Sequence, residues 1–304
     1  MNSKLSHILI RQIPLLCVIV FFTNCNQKYE KPSFKPVWGR GFTEVSRTLA
    51  NGLSFTEEGY QLEPEWRFTI LNDTTISIFT PKTNAFEKAH IQFDHDSLFN
   101  IAWSWMQLKK LTKDSIILQA IKVDGREVLR DKSVVFMKFY ANDYIKNNLH
   151  TDAQTLIRPG KADTLFIKKK VLSALGDSTK AFSARETAVL ISRTNLVSIE
   201  RYNQKAKSKF RKVNEDDYML PEYFITIKKA YKKFSYSFSM LIDENGKLTF
   251  VKSRNFVMPE FEESNNRTMR AIVNGYLTAY LNVQAGKTLG MPHSSIVIIH
   301  VKSI

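Results

Sequence analysis

After residue 25 this chain of 304 residues contains no cysteine: Cys17 and Cys25 are the two it has, and the 279 residues that follow Cys25 carry none. That excludes an internal disulfide framework, a cysteine-based zinc site and a cysteine nucleophile from the body of the chain. Histidine is scarce, at six. No Gly-x-Ser-x-Gly elbow and no paired-histidine motif occurs, so no enzyme activity and no cofactor are expected. Eleven glycines and nine prolines are too few for a collagen-like or low-complexity chain. The segment Gly160-Lys161-Ala162-Asp163-Thr164 lacks the two-glycine spacing of a phosphate cradle.

Apolar residues make up 43% of the chain and aromatics 12%, enough for packed cores and too much for a disordered chain. The length allows two domains of ordinary size. The formal charge is +15. Without Lys4 and Arg11, the only charges before Cys25, 42 bases stand against 29 acids, a net of +13. A basic surface favours anionic partners: lipid headgroups, acidic polysaccharide or nucleic acid.

Lys4 and Arg11 precede the apolar run Ile13–Phe22, and Thr23, Asn24, Cys25 and a polar, lysine-rich stretch follow. This is the order of a secretory signal, here residues 1–24. Ten apolar residues fall short of the about 20 that cross a hydrocarbon core. A cysteine at the cleavage point resembles the lipobox of bacterial lipoproteins, although Phe22 and Asn24 stand where that family prefers Leu and a small residue. The resemblance implies that Cys25 becomes the first residue and carries lipid, anchoring the chain to the cell envelope, with the outer membrane as its expected location. A membrane span, and an ordinary signal peptide with an incidental cysteine, are the alternatives. Export argues against nucleic acid as a partner, and none is expected. Residues 25–37, polar with Pro32 and Pro36, read as a lipidated tether.

Residues 38–141 read as β-rich. Trp66, Phe68 and Ile70 alternate with polar neighbours, as do Ile76 and Ile78, Ile91 and Phe93, and Trp103 and Trp105. Asp73, Asp96 and Asp114 each open a similar unit of Asp, Ser or Thr, then apolar residues, so each is expected to start a strand after a turn. Asp124-Gly125 is a hairpin signal. The expected fold is an antiparallel meander curled into a barrel or sandwich. The run from Trp103 to Gln119 resembles lipocalin-like domains of envelope lipoproteins, which implies a carrier of a small apolar ligand. The opposing expectation is a barrel filled by its own side chains. His90, Asp94, His95 and Asp96 supply metal-ligating types. Residues five apart on a strand face opposite sides, however, and the aspartates suit a turn, so no metal site is expected.

Residues 142–225 form a basic middle region, densest at Arg201–Lys212 with six bases and no acid. It reads either as a contact for membrane headgroups or acidic saccharide or as a solvated linker. Residues 163–175 fit a short helix and 187–192 a strand.

Residues 226–304 are the clearest. Tyr236, Phe238, Met240 and Ile242 alternate, Asp243–Gly246 makes a turn, and Leu248 and Phe250 resume. Pro259 and Glu260 suit a first helical turn. Met269, Ile272, Val273, Tyr276, Leu277 and Tyr280 then form an apolar stripe. Gly275 inside the stripe suggests close packing on the sheet. Ser294–Ile304 ends the chain as a strand buried on both faces in part. The hairpin, helix and strand, with Asp243-Glu244-Asn245-Gly246-Lys247 and Gly286-x-x-x-Gly290-x-Pro292, resemble the C-terminal domain of TonB-like energy transducers over about 70 residues. Val283-Gln284-Ala285 replaces that family's Trp-x-Pro, and the spacer and membrane helix are missing, which argues against energy transduction.

The fold class expected is α+β: a barrel-like meander followed by a small ββαβ domain. The TonB-like resemblance implies a non-catalytic, lipid-anchored protein-binding module. Its last strand (Ile296, Val297, Ile298, Ile299) would pair with a strand of an outer-membrane protein. The alternative function is the lipocalin-like carrier.

Overall fold

The computed structural model describes residues 32–125, 127–202 and 217–304; Cys25 and most of the densest basic stretch, from residue 203 on, lie outside them. Ser33–Ile304 forms one compact unit.

Its first half is a closed, antiparallel, eight-stranded barrel of up-and-down order. The strands are β1 (Gly41–Leu49), β2 (Arg67–Asn72), β3 (Thr75–Thr80), β4 (Ala85–Phe93), β5 (Leu98–Ile101), β6 (Ser104–Leu111), β7 (Ser115–Ala120) and β8 (Val135–Ala141), and β8 closes on β1. Turn chemistry sets this register. Asp73, Asp96 and Asp114 stand in the turns before β3, β5 and β7, as their side chains favour. Asn72 Oδ1 accepts from Thr74 N at 2.9 Å, which closes the β2–β3 turn. Gly125, with φ of 59°, lies in the turn of a two-residue ladder between Val123–Asp124 and Glu127–Val128.

One turn departs from expectation. Trp103 was expected in a strand beside Trp105, but Ala102 and Trp103 form the β5–β6 turn with φ of 48° and 72°, and Trp103 projects into solvent. Two successive left-handed residues are the geometry of a type I′ hairpin, normally Asn-Gly, so neither residue type announces it.

Alternate side chains fill the barrel. Phe42, Phe68, Phe99 and Phe139 lie at its centre with Ile76, Ile116 and other aliphatic side chains, all buried. The expectation of a polar tether through residue 37 fails at its end. Lys35–Val37 is a 3₁₀ turn, and Phe34 and Val37 are buried in the barrel core. The Phe34 ring sits 5.3 Å from Phe93 and 5.4 Å from Phe99. Asp73 clasps this segment, accepting from Phe34 N at 2.7 Å, Ser33 Oγ at 2.8 Å and Trp38 Nε1 at 3.3 Å.

β1 pairs with β2 over only Gly41–Thr43. The seam beyond is held by the buried Glu44 carboxylate, which accepts from Glu65 N at 2.8 Å, Trp66 N at 3.0 Å and the Arg47 guanidinium at 2.7 Å. Residues 50–66 therefore leave the barrel wall. Phe55 packs with Phe182 and Ile167 of a helix described next, and Arg185 pairs with Glu63 while lying 4.6 Å over the Tyr218 ring. This joins the barrel to the second half.

After β8 come α1 (Asn142–Asn147), α2 (Ala153–Leu156) and α3 (Lys161–Gly176), so a helix covers the expected 163–175. Asp163 fixes its start, accepting from Gly160 N at 3.1 Å and Ser54 N at 2.7 Å. Then follow β9 (Val189–Ser192), β10 (Val197–Arg201), β11 (Glu222–Ile227), β12 (Ser235–Ile242), β13 (Leu248–Ser253), α4 (Pro259–Ile272), β14 (Leu281–Gln284) and β15 (Ser295–Ser303). β9 and β14 form a ribbon; the rest form a five-stranded sheet in the order β10-β11-β15-β12-β13. Met269, Ile272, Val273 and Leu277 pack on Phe238, Met240 and the aliphatic side chains of β15. Gly246 takes φ 81° in the β12–β13 turn, where a Cβ would strike the Val283 carbonyl. Gly275 does not mark close packing: it lies in a π-turn (Val273–Leu277), and a Cβ there would meet open space. The middle region is not a separate linker, because β10 and β11 belong to the C-terminal sheet.

Candidate functional site

The strand expected to dock a partner is the centre of the sheet. β15 is parallel to β11, from Glu222↔Ile298 to Ile227↔Ser303, and antiparallel to β12, from Ser235↔Lys302 to Ile242↔Ser295. Val297, Ile298 and Ile299 are buried, Ile296 is half-buried, and Ile298 N donates to Pro221 O at 2.9 Å. Both flanks are taken, so Ile296–Ile299 cannot accept a further strand without displacing a neighbour. The correction arises from β11, whose alternating Tyr223, Ile225 and Ile227 arrive about 75 residues before their parallel partners.

The open flanks are β10 and β13, each paired with one strand. β13 has the features of a binding edge. Its pairing with β12 slips between Ser239 and Met240, leaving Val251 as a bulge residue with an exposed side chain. The chain leaving β13 then presents Phe256, 97% exposed, and Met258 and Phe261, also exposed. These side chains do not lie on slack backbone. Arg254 N donates to Ser237 O at 2.9 Å, Ser237 N donates to Asn255 Oδ1 at 2.6 Å, and Phe261 N donates to Met258 O at 2.9 Å as α4 begins at Pro259. A clustered, held apolar surface beside a free strand edge is the usual mark of an interaction site.

Behind this loop runs a polar row. Glu222 accepts from His300 Nε2 at 3.2 Å, and His300 Nδ1 faces Ser237 Oγ at 2.8 Å. The residue types are those of a hydrolytic triad, and sequence spacing gave no sign of them because they come from three strands. Acyl transfer requires backbone donors for the developing oxyanion. The Ser237 N–H is already given to Asn255, and His300 stacks on Phe224 at 4.7 Å. The row ties β11, β15 and β12 together as a cross-strand ladder, while the backbone N–H of Ser237 holds the patch-bearing loop through Asn255.

A concavity of about 850 Å³ lies between α3, residues 53–58, residues 179–183 and Met219-Leu220. Phe166, Phe182, Met219 and Ile296 give it an apolar floor, and Lys169, Lys180 and Glu58 stand at its rim. Lys170 pairs with Glu57 at 2.9 Å and lies 5.5 Å over the Phe182 ring. The hydrogen bond to Thr56 holds the Glu58 carboxyl below the usual carboxylate range. Behind Phe182, His293 stacks at 3.7 Å and is fully buried. Its Nδ1–H donates to Ser294 O at 3.0 Å, so Nε2 accepts from Thr288 Oγ1 at 2.9 Å.

Burial pushes the His293 imidazole below its ordinary value of 6.5, against the opposing effect of the Ser294 bond. The unfolded chain thus takes up a proton before the folded one. The stability His293 contributes is fully present above pH 6.5 and declines as pH falls below it toward the folded value. Urea midpoints measured across this window should fall with pH in the wild type and fall less in His293→Gln. Parallel curves for the two proteins would remove His293 from the account.

Among the described residues no group of three His, Cys, Asp or Glu side chains is placed to hold a metal. His95 pairs with Asp94 at 2.9 Å on the surface, while His90 lies within β4. Among the described residues no helix is long and apolar enough to cross a membrane. No known protein family, curated protein or solved structure matches this chain.

Proposed function

We propose that this chain is a non-catalytic, lipid-anchored protein of the cell envelope, and that its C-terminal sheet binds an extended segment of an outer-membrane partner along β13. The observation that carries the reading is the free β13 edge running into the held loop that exposes Phe256, Met258 and Phe261. Strand addition would use main-chain hydrogen bonds for affinity and this patch for selectivity. The hairpin–helix–strand order of Ser235–Ser303 supports the resemblance to a TonB-like module. The two strands beyond β15 move the docking edge from the last strand to β13. Cys25 supplies the anchor in this reading.

The carrier reading takes a different form from the one the sequence suggested. Side chains fill the barrel core, so a small apolar ligand would occupy the cleft over Phe166 and Phe182.

The test is cross-linking in intact cells with wild type, Cys25→Ala and Phe256→Ser/Phe261→Ser. One outer-membrane protein captured by wild type and lost in both variants is the expected result. Equal capture by the Phe256→Ser/Phe261→Ser variant overturns the docking edge. Equal capture by Cys25→Ala overturns the anchor.

A further inference from the structure

α3 carries apolar side chains on two faces. Ile167 and Ala174 point inward and are buried. On the opposite side Leu165 is 68% exposed and Leu172 59%, with Leu175 exposed one turn further on. At 3.6 residues per turn Leu165 and Leu172 lie one above the other, with Lys161 and Lys168 on the same stripe and Lys169 at its flank. All three lysines are exposed, and no exposed residue of the helix is acidic; its one acid, Asp163, is the buried cap. Among the described residues no ion pair holds Lys161, Lys168 or Lys169, whereas the inward Lys170 is paired with Glu57.

We propose that this outward face of α3 lies on an anionic bilayer, its leucines entering the headgroup–acyl boundary and its lysines reaching lipid phosphates. Leucines flanked by lysines, whose stems lie along apolar surface while the ammonium groups stay wet, are the side-chain set that such an interface takes. The charge is the argument against a protein partner of ordinary composition: an all-basic face matches a surface of one sign. Reach is the second argument, and it rests on the lipidated Cys25 of the proposed function. Pro32, the first described residue, is seven residue steps from Cys25. At roughly 3.6 Å each, they allow the body no more than about 25 Å of chain from the anchor point. A weak interfacial face is then enough to hold the body down, because its encounter with the surface is intramolecular.

The test removes the anchor, so that its outcome is independent of whether Cys25 is lipidated. Residues 25–304 carrying Cys25→Ser retain every described contact of the compact unit. This protein is sedimented with vesicles of phosphatidylcholine and with vesicles of phosphatidylcholine mixed with phosphatidylglycerol. Binding to the anionic vesicles alone, weakened by salt, is expected. Leu165→Ser/Leu172→Ser should lower the partition about tenfold, and Lys161→Glu/Lys168→Glu by at least as much. None of the four residues lines the cleft, and all are exposed, so unchanged circular dichroism should accompany both variants. The proposal is overturned if the unsubstituted protein leaves anionic vesicles unbound, or if either double variant binds them as well as it does. It is also overturned if Leu165→Ser/Leu172→Ser alters self-association in the centrifuge with vesicle binding unmoved, which would assign the face to a second copy of the chain.

Discussion

Phe34→Ala is expected to cost about 3–5 kcal/mol of stability, the range for emptying a phenylalanine-sized space in a core. Phe34 is 1% exposed and in contact with Phe93 and Phe99, and Asp73 holds its backbone from the β2–β3 turn. Against a total stability of roughly 5–15 kcal/mol for an ordinary domain, this is a large fraction. Urea unfolding of residues 25–304 carrying Cys25→Ser, with and without the substitution, measures it. A loss below about 1 kcal/mol would mean that residues 33–37 are a loose tether and not part of the barrel. The outcome also bears on how the chain meets the membrane. If Phe34 is core, the free tether ends at residue 32 and the barrel hangs directly from it.

Ile298→Pro separates the two placements of the docking edge. Were β15 an edge, proline there would cancel docking and leave the fold intact. In the centre of the sheet it removes the donor of the bond to Pro221 O, 2.9 Å long, and places its ring between β11 and β12. Proline in the middle of a sheet removes a ladder hydrogen bond and is confined to edges and bulges, and the packing of the buried Ile298 side chain is lost as well. Loss of cooperative unfolding is the expected result. A well-folded Ile298→Pro protein with native-like stability would restore the last strand as an accessible edge.

The parts of the fold that could be read from the sequence are those written in local chemistry. The aspartates at 73, 96 and 114 mark turns because Asp is a residue type that turns favour, and β3, β5 and β7 follow them. Gly246 marks the β12–β13 turn because its φ of 81° leaves little choice of residue. Pro259 marks the start of α4, and the stripe from Met269 to Leu277 packs as its period requires. What could not be read depended on distant partners. Phe34 lies between Pro32 and Pro36, Val37 follows Pro36, and the two have no period, so nothing local distinguishes a core plug from a tether. The Ala102-Trp103 turn carries no glycine or asparagine. β11 belongs with a strand about 75 residues later, and without it β15 looks like an edge. The exposed Phe256, Met258 and Phe261 resemble core residues in sequence, and only the structure shows that they face solvent. The same holds for Leu165 and Leu172, which a helical-period reading places in a core.

Docking along β13 is the central claim, and site-specific photo-cross-linking addresses it most directly. A photoreactive amino acid is placed singly at Thr249, Val251, Ser253 and Phe256, and at Tyr223 of the buried β11 as a control. The account expects the four edge and loop positions to cross-link to one short segment of a single envelope protein, with the attachment point moving along that segment as the position moves along β13. Tyr223 should give no such product. Cross-links scattered over unrelated proteins, or a partner attached with no order along β13, would contradict strand addition at this edge.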